Sequence, residues 1–321
     1  MLNRRSIRIK VLQHIYSYEH NVGLSDDIDL LKSHTLEDLK KSISNIDSFL
    51  YQLLSLSLSF REIDSRKREI NEKSLTKKNK LKFNFSNNKV LEFLEENEKI
   101  KSEIIDFKSS LGSEEELIKD WYKLLIKESF FNEYNNLENP TFNDDLEFVR
   151  KLILSFFLKN EDINSFFEAR NIYWDIDKQI IRSMLKKTFE SLNSRDFNTF
   201  AVASLSENIE EDIKFACSLY ECVVSKSKEF DSYINDFVKN WELDRISRMD
   251  LSIIRLGIAE MTSFSNIPVK VTINECIDLA KNFSSQKSGK FVNGLLDVIS
   301  LNLLEKGQIK KTGKGLIDNK W

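Results

Sequence analysis

Three arginines near the start of the sequence form the group of side chains best suited to bind an anion. Arg4 and Arg8 are four residues apart and Arg5 and Arg8 three apart, so on a helix they would share one end, with Lys10 nearby. Guanidinium groups bind phosphate in a bidentate manner and stay charged at any working pH. Cations at a helix N-terminus oppose the helix dipole, which favours an anionic partner such as RNA or DNA. The alternative is a commonplace basic start in a chain with 48 Lys and Arg.

The other residues with catalytic or metal-binding potential form no recognised motif. The sequence lacks the G-x-x-x-x-G-K-[ST] and G-x-G-x-x-G loops that bind nucleotide phosphates. Its histidines, His14, His20 and His34, show neither His-Glu-x-x-His spacing nor a nearby cysteine. Carboxylate pairs such as Glu210-Glu211 arise by chance among 51 acidic residues, and a Ser-His-Asp triad stays open but has no nucleophile elbow to support it. We therefore expect no catalysis, no cofactor and no metal.

The composition limits where an anion could bind and where the protein acts. The formal net charge is −3, so any nucleic-acid site must be a local basic patch. Cys217, Cys222 and Cys276 fit neither a disulfide framework nor a zinc motif, which indicates small buried side chains in a reducing compartment. The sequence has no run of 18 apolar residues and no signal-peptide pattern, so we expect a cytoplasmic protein with no membrane partner.

The elements that must position these residues are predicted to be helices. Gly occurs 8 times and Pro twice in 321 residues, whereas a fold rich in tight turns needs many more of both. Apolar residues recur at helical spacing, and 23 Phe supply material for a core. We predict an all-α fold with helices at about 3–20, 36–60, 88–109, 114–132, 142–159, 161–170, 174–192, 206–239 with a break near Phe230, 244–265, 272–283 and 286–304.

Three stretches carry conflicting local signals. The segment LSLSLSF at 54–60 alternates like a strand, but no partner strand is evident, which favours a helix. Residues 61–82 are basic and almost without apolar side chains, which is typical of an exposed linker, with an extended RNA contact as the alternative. Asn293-Gly294 is a hairpin signal within a stretch of helical spacing. We predict a helix there, in which Gly294 permits the close approach of a neighbouring helix.

The C-terminal hundred residues carry the most specific patterns in the sequence. They read ELDRISRMDLSIIRLGIAEM (242–261), NIPVKVTINECIDLAKNF (266–283) and SGKFVNGLLD (288–297). Within the second, Thr272-x-x-Glu275 predicts a capping box that would begin a helix. Together with NRRSIRIKVLQHIYSYE (3–19), these segments closely resemble the NusB family of transcription antitermination factors. The resemblance covers roughly residues 3–20 and 205–302.

The resemblance implies a fold and a role. NusB proteins consist of two small perpendicular helical bundles, lack catalysis, and bind boxA-type RNA together with a small-subunit ribosomal protein, called NusE in this role. They help the transcription elongation complex read through terminators, notably on ribosomal RNA operons. Mapped onto this sequence, the family's RNA-binding positions fall on Arg4, Arg5, Arg8, Tyr16, Asp250, Phe283 and Lys287. For Tyr16 and Phe283, ordinary core packing is an equally good interpretation, although aromatic rings also stack on unpaired bases.

The chain is longer than is common in the family, which defines the expected domains. We expect a NusB-like helical domain from residues 1–20 and 205–302, a mainly helical insertion at 21–204 with its basic linker at 61–82, and a flexible basic tail at 303–321. Residues 174–192 could supply one family helix. Two alternatives stay open: a protein-binding scaffold that has lost RNA affinity, and a NusB-like domain linked to ribosomal RNA methylation. The second is disfavoured because no methyltransferase domain follows the match.

Overall fold

The computed structural model describes residues 2–73, 83–98, 100–102, 105, 114–192, 202–238 and 246–316. Throughout these ranges the regular structure is helical, without a β-strand, and the all-α prediction is confirmed. The chain divides into two compact units. We call residues 45–207 the insertion unit, and residues 2–44 with 208–321 the discontinuous unit.

Thirteen helices are described, and we number them in chain order. They are α1 Arg4–Asn21, α2 Ile28–Ser44, α3 Ser48–Lys73, α4 Lys89–Glu96, α5 Glu115–Leu125, α6 Ser129–Asn136, α7 Phe142–Lys151, α8 Glu161–Arg170, α9 Trp174–Leu192, α10 Ile209–Phe237, α11 Arg248–Ser263, α12 Val269–Phe283 and α13 Ser288–Glu305. A π-helix, Leu152–Phe157, follows α7, and short 3₁₀ turns span Phe85–Asn87 and Gly313–Leu316. Residues 61–73 of the predicted exposed linker are helical within α3, and Asp64 among them is buried. Residues 74–82 and part of the predicted helix 88–109 lie outside the described residues.

Local capping explains where several of these helices begin. The side chain of Asn3 accepts a hydrogen bond from the Ser6 amide at the start of α1, and Ser247 does the same for Asp250 in α11. The predicted capping box in α12 is wrong, because the helix already begins at Val269 and its N-cap residue is Pro268. Thr272 therefore lies inside the helix, where its hydroxyl is free to bind a buried partner.

The core of the discontinuous unit is built from the apolar faces of α1, α2 and α10 to α13. Ile7, Val11 and Ile15 are fully buried, as the spacing in α1 predicts. Helix α2 joins this core through Leu39 and Ile43, so the unit extends to residue 44 instead of ending at the expected residue 20. The predicted helix 36–60 is in fact two helices, α2 and α3, one in each unit.

The insertion unit has a separate core that is rich in aromatic side chains. Phe49, Phe167 and Trp174 pack together, with Phe167 and Trp174 stacked at 4.5 Å between ring centroids. The segment 54–60 is helical within α3, as expected. The leucines, Ser55 and Ser57 are buried there and Ser59 is partly buried, so the alternation in the sequence does not correspond to one buried and one exposed face, as it would in a strand at a surface.

Two corrections concern small side chains. Asn293 and Gly294 lie inside α13, which excludes a hairpin, but a Cβ atom at Gly294 would meet nothing within 4 Å. The close-approach explanation for Gly294 is therefore wrong. Cys276 is buried, and burial raises the pKa of its thiol, whereas Cys217 and Cys222 are only partly buried and depart from the expectation for all three cysteines.

The C-terminal residues also differ from expectation. Helix α13 continues to Glu305, and the chain then turns at Gly307, which has a φ of 66°. Residues 309–316 pack back on the unit: Ile309 is buried in its core, and the Thr312 amide donates to the Ser265 carbonyl at 2.9 Å. The expected flexible tail at 303–321 is thus replaced, as far as residue 316, by a packed segment.

Candidate nucleic-acid interface

A cleft of about 960 Å³ opens at the N-terminal end of α1, within the discontinuous unit. Its walls come from α1, α10, the loop 264–268, α12 and the 3₁₀ turn near the C-terminus. The lining residues are Asn3, Arg4, Arg5, Arg8, Glu211, Lys214, Phe215, Ser218, Phe264, Asn266, Ile267, Pro268, Val271, Glu275 and Lys314. Five of these side chains are cationic and two are carboxylates. Each of the three arginines also has a carboxylate partner outside the lining, so among the described residues Lys214 and Lys314 are the cations of the cleft that such partners do not offset.

Arg4 lies over an aromatic floor. Its guanidinium carbon is 4.2 Å from the centroid of the Phe215 ring, which is a cation–π contact. Phe215 packs edge-on against Phe264 at 4.9 Å between centroids. The carboxylate of Asp212 is 3.9 Å from Arg4, and 43% of the Arg4 side chain stays exposed. Arg4 therefore presents a charged group to solvent and covers the ring of Phe215, which is 7% exposed.

Arg5 is similarly accessible. It donates a hydrogen bond at 2.8 Å to Asp278 of α12, and 44% of its side chain is exposed. An exposed ion pair of this kind contributes only ~0–1 kcal/mol, because water screens both partners. A phosphate group could displace Asp278 at little cost. Arg5 and Arg4 are thus the two predicted arginines that a ligand in the cleft can reach.

Arg8 has a different environment, which corrects its expected role. Only 3% of its side chain is exposed, and its guanidinium donates two hydrogen bonds to Glu260 of α11, at 2.7 and 2.9 Å. Burial lowers the pKa of Arg8, but the hydrogen bond and charge of Glu260 outweigh this, and the net pKa is raised. Thr272 donates to the same Glu260 at 2.6 Å, and Glu275 lies 3.6 Å from Arg8. Arg8 therefore ties α1 to α11 and α12 from beneath the cleft.

Tyr16 lies on α1, but twelve residues beyond Arg4. At 1.5 Å per residue the separation along the helix is about 18 Å. Tyr16 is 36% exposed and does not line the cleft. It is thus accessible to a partner only if that partner extends along α1.

The remaining predicted residues meet at another place in the discontinuous unit, where α11 and α13 begin and α12 ends. Asp250 is 7% exposed and accepts a hydrogen bond from the Ser288 hydroxyl at 2.9 Å. Phe283 is partly buried against the core, whereas Lys287 is exposed at the start of α13. Of these three residues, Lys287 has the accessibility that an RNA contact requires.

Four cationic or aromatic residues of the cleft were not predicted from the sequence. Lys214 and Phe215 are adjacent in α10, and a basic residue beside an aromatic one is a signal that could have identified them. Phe264 and Lys314 carry no comparable local signal, because they enter the cleft only through the packing of a loop and of the C-terminal segment. Neither Lys214 nor Lys314 forms an ion pair with any residue that the structure describes.

Neither a metal-binding cluster nor a membrane-spanning helix occurs in the described parts of the chain. They contain no group of three or more His, Cys, Asp or Glu side chains arranged to hold a metal ion. None of the described helices combines the length and apolar character needed to cross a membrane.

The described fold is all-helical, and its cleft is a candidate site for an anionic ligand. The model of the NusB family matches residues 179–300, from within α9 to α13. The chain is 34% identical to the transcription antitermination protein NusB of Chloroherpeton thalassium over 148 residues, which cover 44% of this chain and 70% of that protein. The chain therefore belongs to the NusB family of transcription antitermination proteins.

Other NusB proteins are similar over shorter stretches. The transcription antitermination protein NusB of Salinibacter ruber is 40% identical over 103 residues, which cover 32% of this chain and 64% of that protein. That of Natranaerobius thermophilus is 45% identical over 92 residues, which cover 27% of this chain and 66% of that protein. A solved structure of T. maritima NusB aligns with 40% of this chain and 94% of its own, at 26% identity and a TM-score of 0.30.

Proposed function

We propose that this protein is a transcription antitermination factor that binds boxA-type RNA in the cleft at the start of α1. The observation that carries the proposal is the juxtaposition of accessible cations with two aromatic rings in a member of the NusB family. The cations are Arg4, Arg5 and Lys214; the rings are Phe264, which is partly buried, and Phe215, which is 7% exposed and lies beneath Arg4. Proteins recognise single-stranded RNA by combining phosphate-binding cations with rings that stack on unpaired bases. The cleft offers both in one place.

The proposed contacts have distinct roles. Arg4 and Arg5 bind phosphate, and movement of Arg4 toward a phosphate would uncover part of the Phe215 ring, which is 7% exposed and also lies 6.0 Å from the Arg8 guanidinium. Tyr16 and Lys287 are outlying contacts for a longer strand, since both are accessible. Arg8, Asp250 and Phe283 act by holding the helices in place, because each is buried or partly buried by other parts of the protein.

The partners follow from the same proposal. The RNA would be bound together with the small-subunit ribosomal protein NusE, and the complex would promote read-through of ribosomal RNA operons by the transcription elongation complex in the cytoplasm. No catalytic step belongs to this role. The protein acts by binding RNA and protein together.

The test is RNA affinity measured by fluorescence anisotropy with a labelled boxA-containing RNA, with and without NusE. The double variant Arg4→Ala/Arg5→Ala should weaken binding at least tenfold. It should also reduce the slope of log affinity against log salt concentration by about 1.4, because each phosphate that the protein no longer neutralises removes ~0.7 from that slope. The matched control is Lys226→Ala/Lys228→Ala, which removes two exposed cations from the second half of α10.

The possible results separate the alternatives. If the arginine variant binds as wild type does, the cleft is not the RNA site. Equal weakening in the lysine control would show a general effect of net charge instead of a local site. If the wild type binds no boxA RNA even with NusE present, the antitermination proposal fails and a protein-binding scaffold becomes the better interpretation.

A further inference from the structure

The C-terminal segment of the described chain lies along one wall of the cleft. We call residues 309–316 the strap. It packs on the loop 264–268 that joins α11 to α12, through three polar contacts at its centre. The Thr312 amide donates to the Ser265 carbonyl at 2.9 Å, the two hydroxyls of these residues are 3.1 Å apart, and Lys311 Nζ donates to the Phe264 carbonyl at 2.9 Å.

Gly315 makes the closest approach between the strap and the loop. A Cβ atom at this position would lie 2.1 Å from the backbone oxygen of Ser265, so even alanine would force the two backbones apart. The contact thus requires glycine for reasons of space. Ile309, which is 5% exposed, anchors the other end of the strap in the core. The strap is therefore held at both ends and in the middle.

Because the strap packs on the loop 264–268, two of its lysines contribute to the cleft. Lys314 immediately precedes Gly315 and lines the same cleft as Arg4 and Arg5. It is exposed, and no carboxylate among the described residues pairs with it. Lys311 holds the backbone of Phe264, whose ring lies against Phe215 on the cleft floor. The strap thus supplies one cation, Lys314, to the cleft and fixes the backbone of one aromatic residue, Phe264, through Lys311.

We propose that the strap is part of the RNA-binding site, with Lys314 as a phosphate-binding residue that the Gly315 contact places opposite the arginines of α1. The proposal rests on the function proposed above, because it assigns a further contact to the same ligand. The recognised group is the phosphodiester of single-stranded RNA, which a lysine binds as a point charge. The RNA strand would then pass between α1 and the strap.

The experiment compares four single variants and one double variant of the full chain in the boxA binding assay with NusE. Lys314→Ala removes the charge, whereas Gly315→Ala displaces the strap and leaves the charge intact. We expect each to weaken RNA binding roughly three- to tenfold, and Lys314→Ala to lower the salt slope by about 0.7. The double variant should bind no more weakly than Gly315→Ala alone, because a displaced Lys314 no longer contributes.

The controls are Lys310→Ala, an exposed strap lysine outside the cleft lining, and Gly23→Ala, where an added Cβ meets nothing within 4 Å.

A second measurement does not depend on any substitution. Amine-reactive labelling of the wild-type protein, analysed by mass spectrometry, should show Lys314 protected by boxA RNA and Lys310 labelled equally with and without RNA. If Arg4→Ala/Arg5→Ala weakens binding while Lys314→Ala does not and Lys314 is unprotected, the strap proposal is overturned and the proposed function stands. If wild type binds no RNA, both proposals fail together.

Discussion

At the scale of single residues, Arg8 belongs to a sequence motif that predicts RNA binding, but its burial in the structure indicates a structural role. The three arginines look equivalent in the sequence, yet Arg4 and Arg5 are more than 40% exposed and Arg8 is 3% exposed. The difference comes from Glu260, 252 residues away, which faces Arg8 in the folded protein. No local pattern could have revealed this pairing.

The buried pair gives a prediction for stability. Arg8→Met should lower the free energy of unfolding by ~3–5 kcal/mol, because Glu260 would keep a buried charge without its main partner. Arg4→Met should change it by less than ~0.5 kcal/mol, as for an exposed site. Urea denaturation followed by circular dichroism measures both values. The double variant Arg8→Met/Glu260→Met should recover much of the loss; equal stability of the Arg8 and Arg4 single variants would contradict the buried-pair role.

Two glycines within helices lead to a second prediction, in which substitution by alanine changes the free energy of unfolding in opposite directions. A Cβ atom at Gly257 would lie 3.0 Å from both Cys276 Sγ and Leu296 Cδ1, whereas one at Gly294 would meet nothing within 4 Å. Gly294→Ala should therefore raise the free energy of unfolding by up to ~1 kcal/mol, through helix propensity alone. Gly257→Ala should lower it, since overpacking costs ~1–3 kcal/mol. Thermal unfolding of the two variants side by side checks the signs, and stabilisation at Gly257 would show that its neighbours can move.

At the scale of elements, helix identity was easier to predict than helix ends. The start of α1 and the whole of α8 and α9 match the predicted ranges, because apolar spacing and nearby capping residues agree there. Helix α12 begins three residues before the predicted start. Its N-cap residue is Pro268, which makes no side-chain capping hydrogen bond, and the Thr272 hydroxyl donates to Glu260 instead of capping the helix. The kink in α10 lies at Lys226, not near Phe230, and no Gly or Pro marks it. Helix ends that depend on tertiary contacts cannot be predicted from the spacing of apolar residues in the local sequence.

The strap has a predicted pH dependence. Burial lowers the pKa of Lys311 to about 8, although the charge of Glu260 raises it in part. Lys311 therefore loses its proton at a lower pH in the folded protein than in the unfolded chain. A lysine with a depressed pKa destabilises the fold while it is charged, and this cost disappears as pH rises above 8. Wild type should therefore gain stability relative to Lys311→Met between pH 8 and pH 10. Melting temperatures of both proteins across this range provide the measurement, and a constant difference would mean that Lys311 titrates normally.

At the scale of the whole molecule, the candidate site is assembled from segments that are far apart in the sequence. Arg4 and Arg5 could be predicted because they are contiguous and belong to a known motif. Lys214, Phe264 and Lys314 join them only when α10, the loop 264–268 and the strap pack around the start of α1. The sequence therefore indicated the chemistry of the site, whereas its walls depend on contacts across more than 200 residues.

The division into two units leads to the last prediction, which concerns the insertion. Each unit has its own buried core, and every residue of the proposed RNA-binding cleft belongs to the discontinuous unit. A chain in which Ser44 is joined to Asn208 by a long Gly-Ser linker should therefore stay helical and keep its boxA affinity within about threefold, as expected when every phosphate-binding cation of the cleft is retained.

The position of the cut matters, because α2 belongs to the core that supports the cleft. Deletion of residues 36–170 would remove Leu39 and Ile43, both fully buried, and each such loss costs ~2–5 kcal/mol even as a truncation to alanine. That variant should lose cooperative unfolding, whereas deletion of residues 45–207 should preserve it. Circular dichroism and the RNA-binding assay distinguish the two. A folded 45–207 deletion that no longer binds RNA would show that the insertion unit itself contributes to the RNA-binding surface.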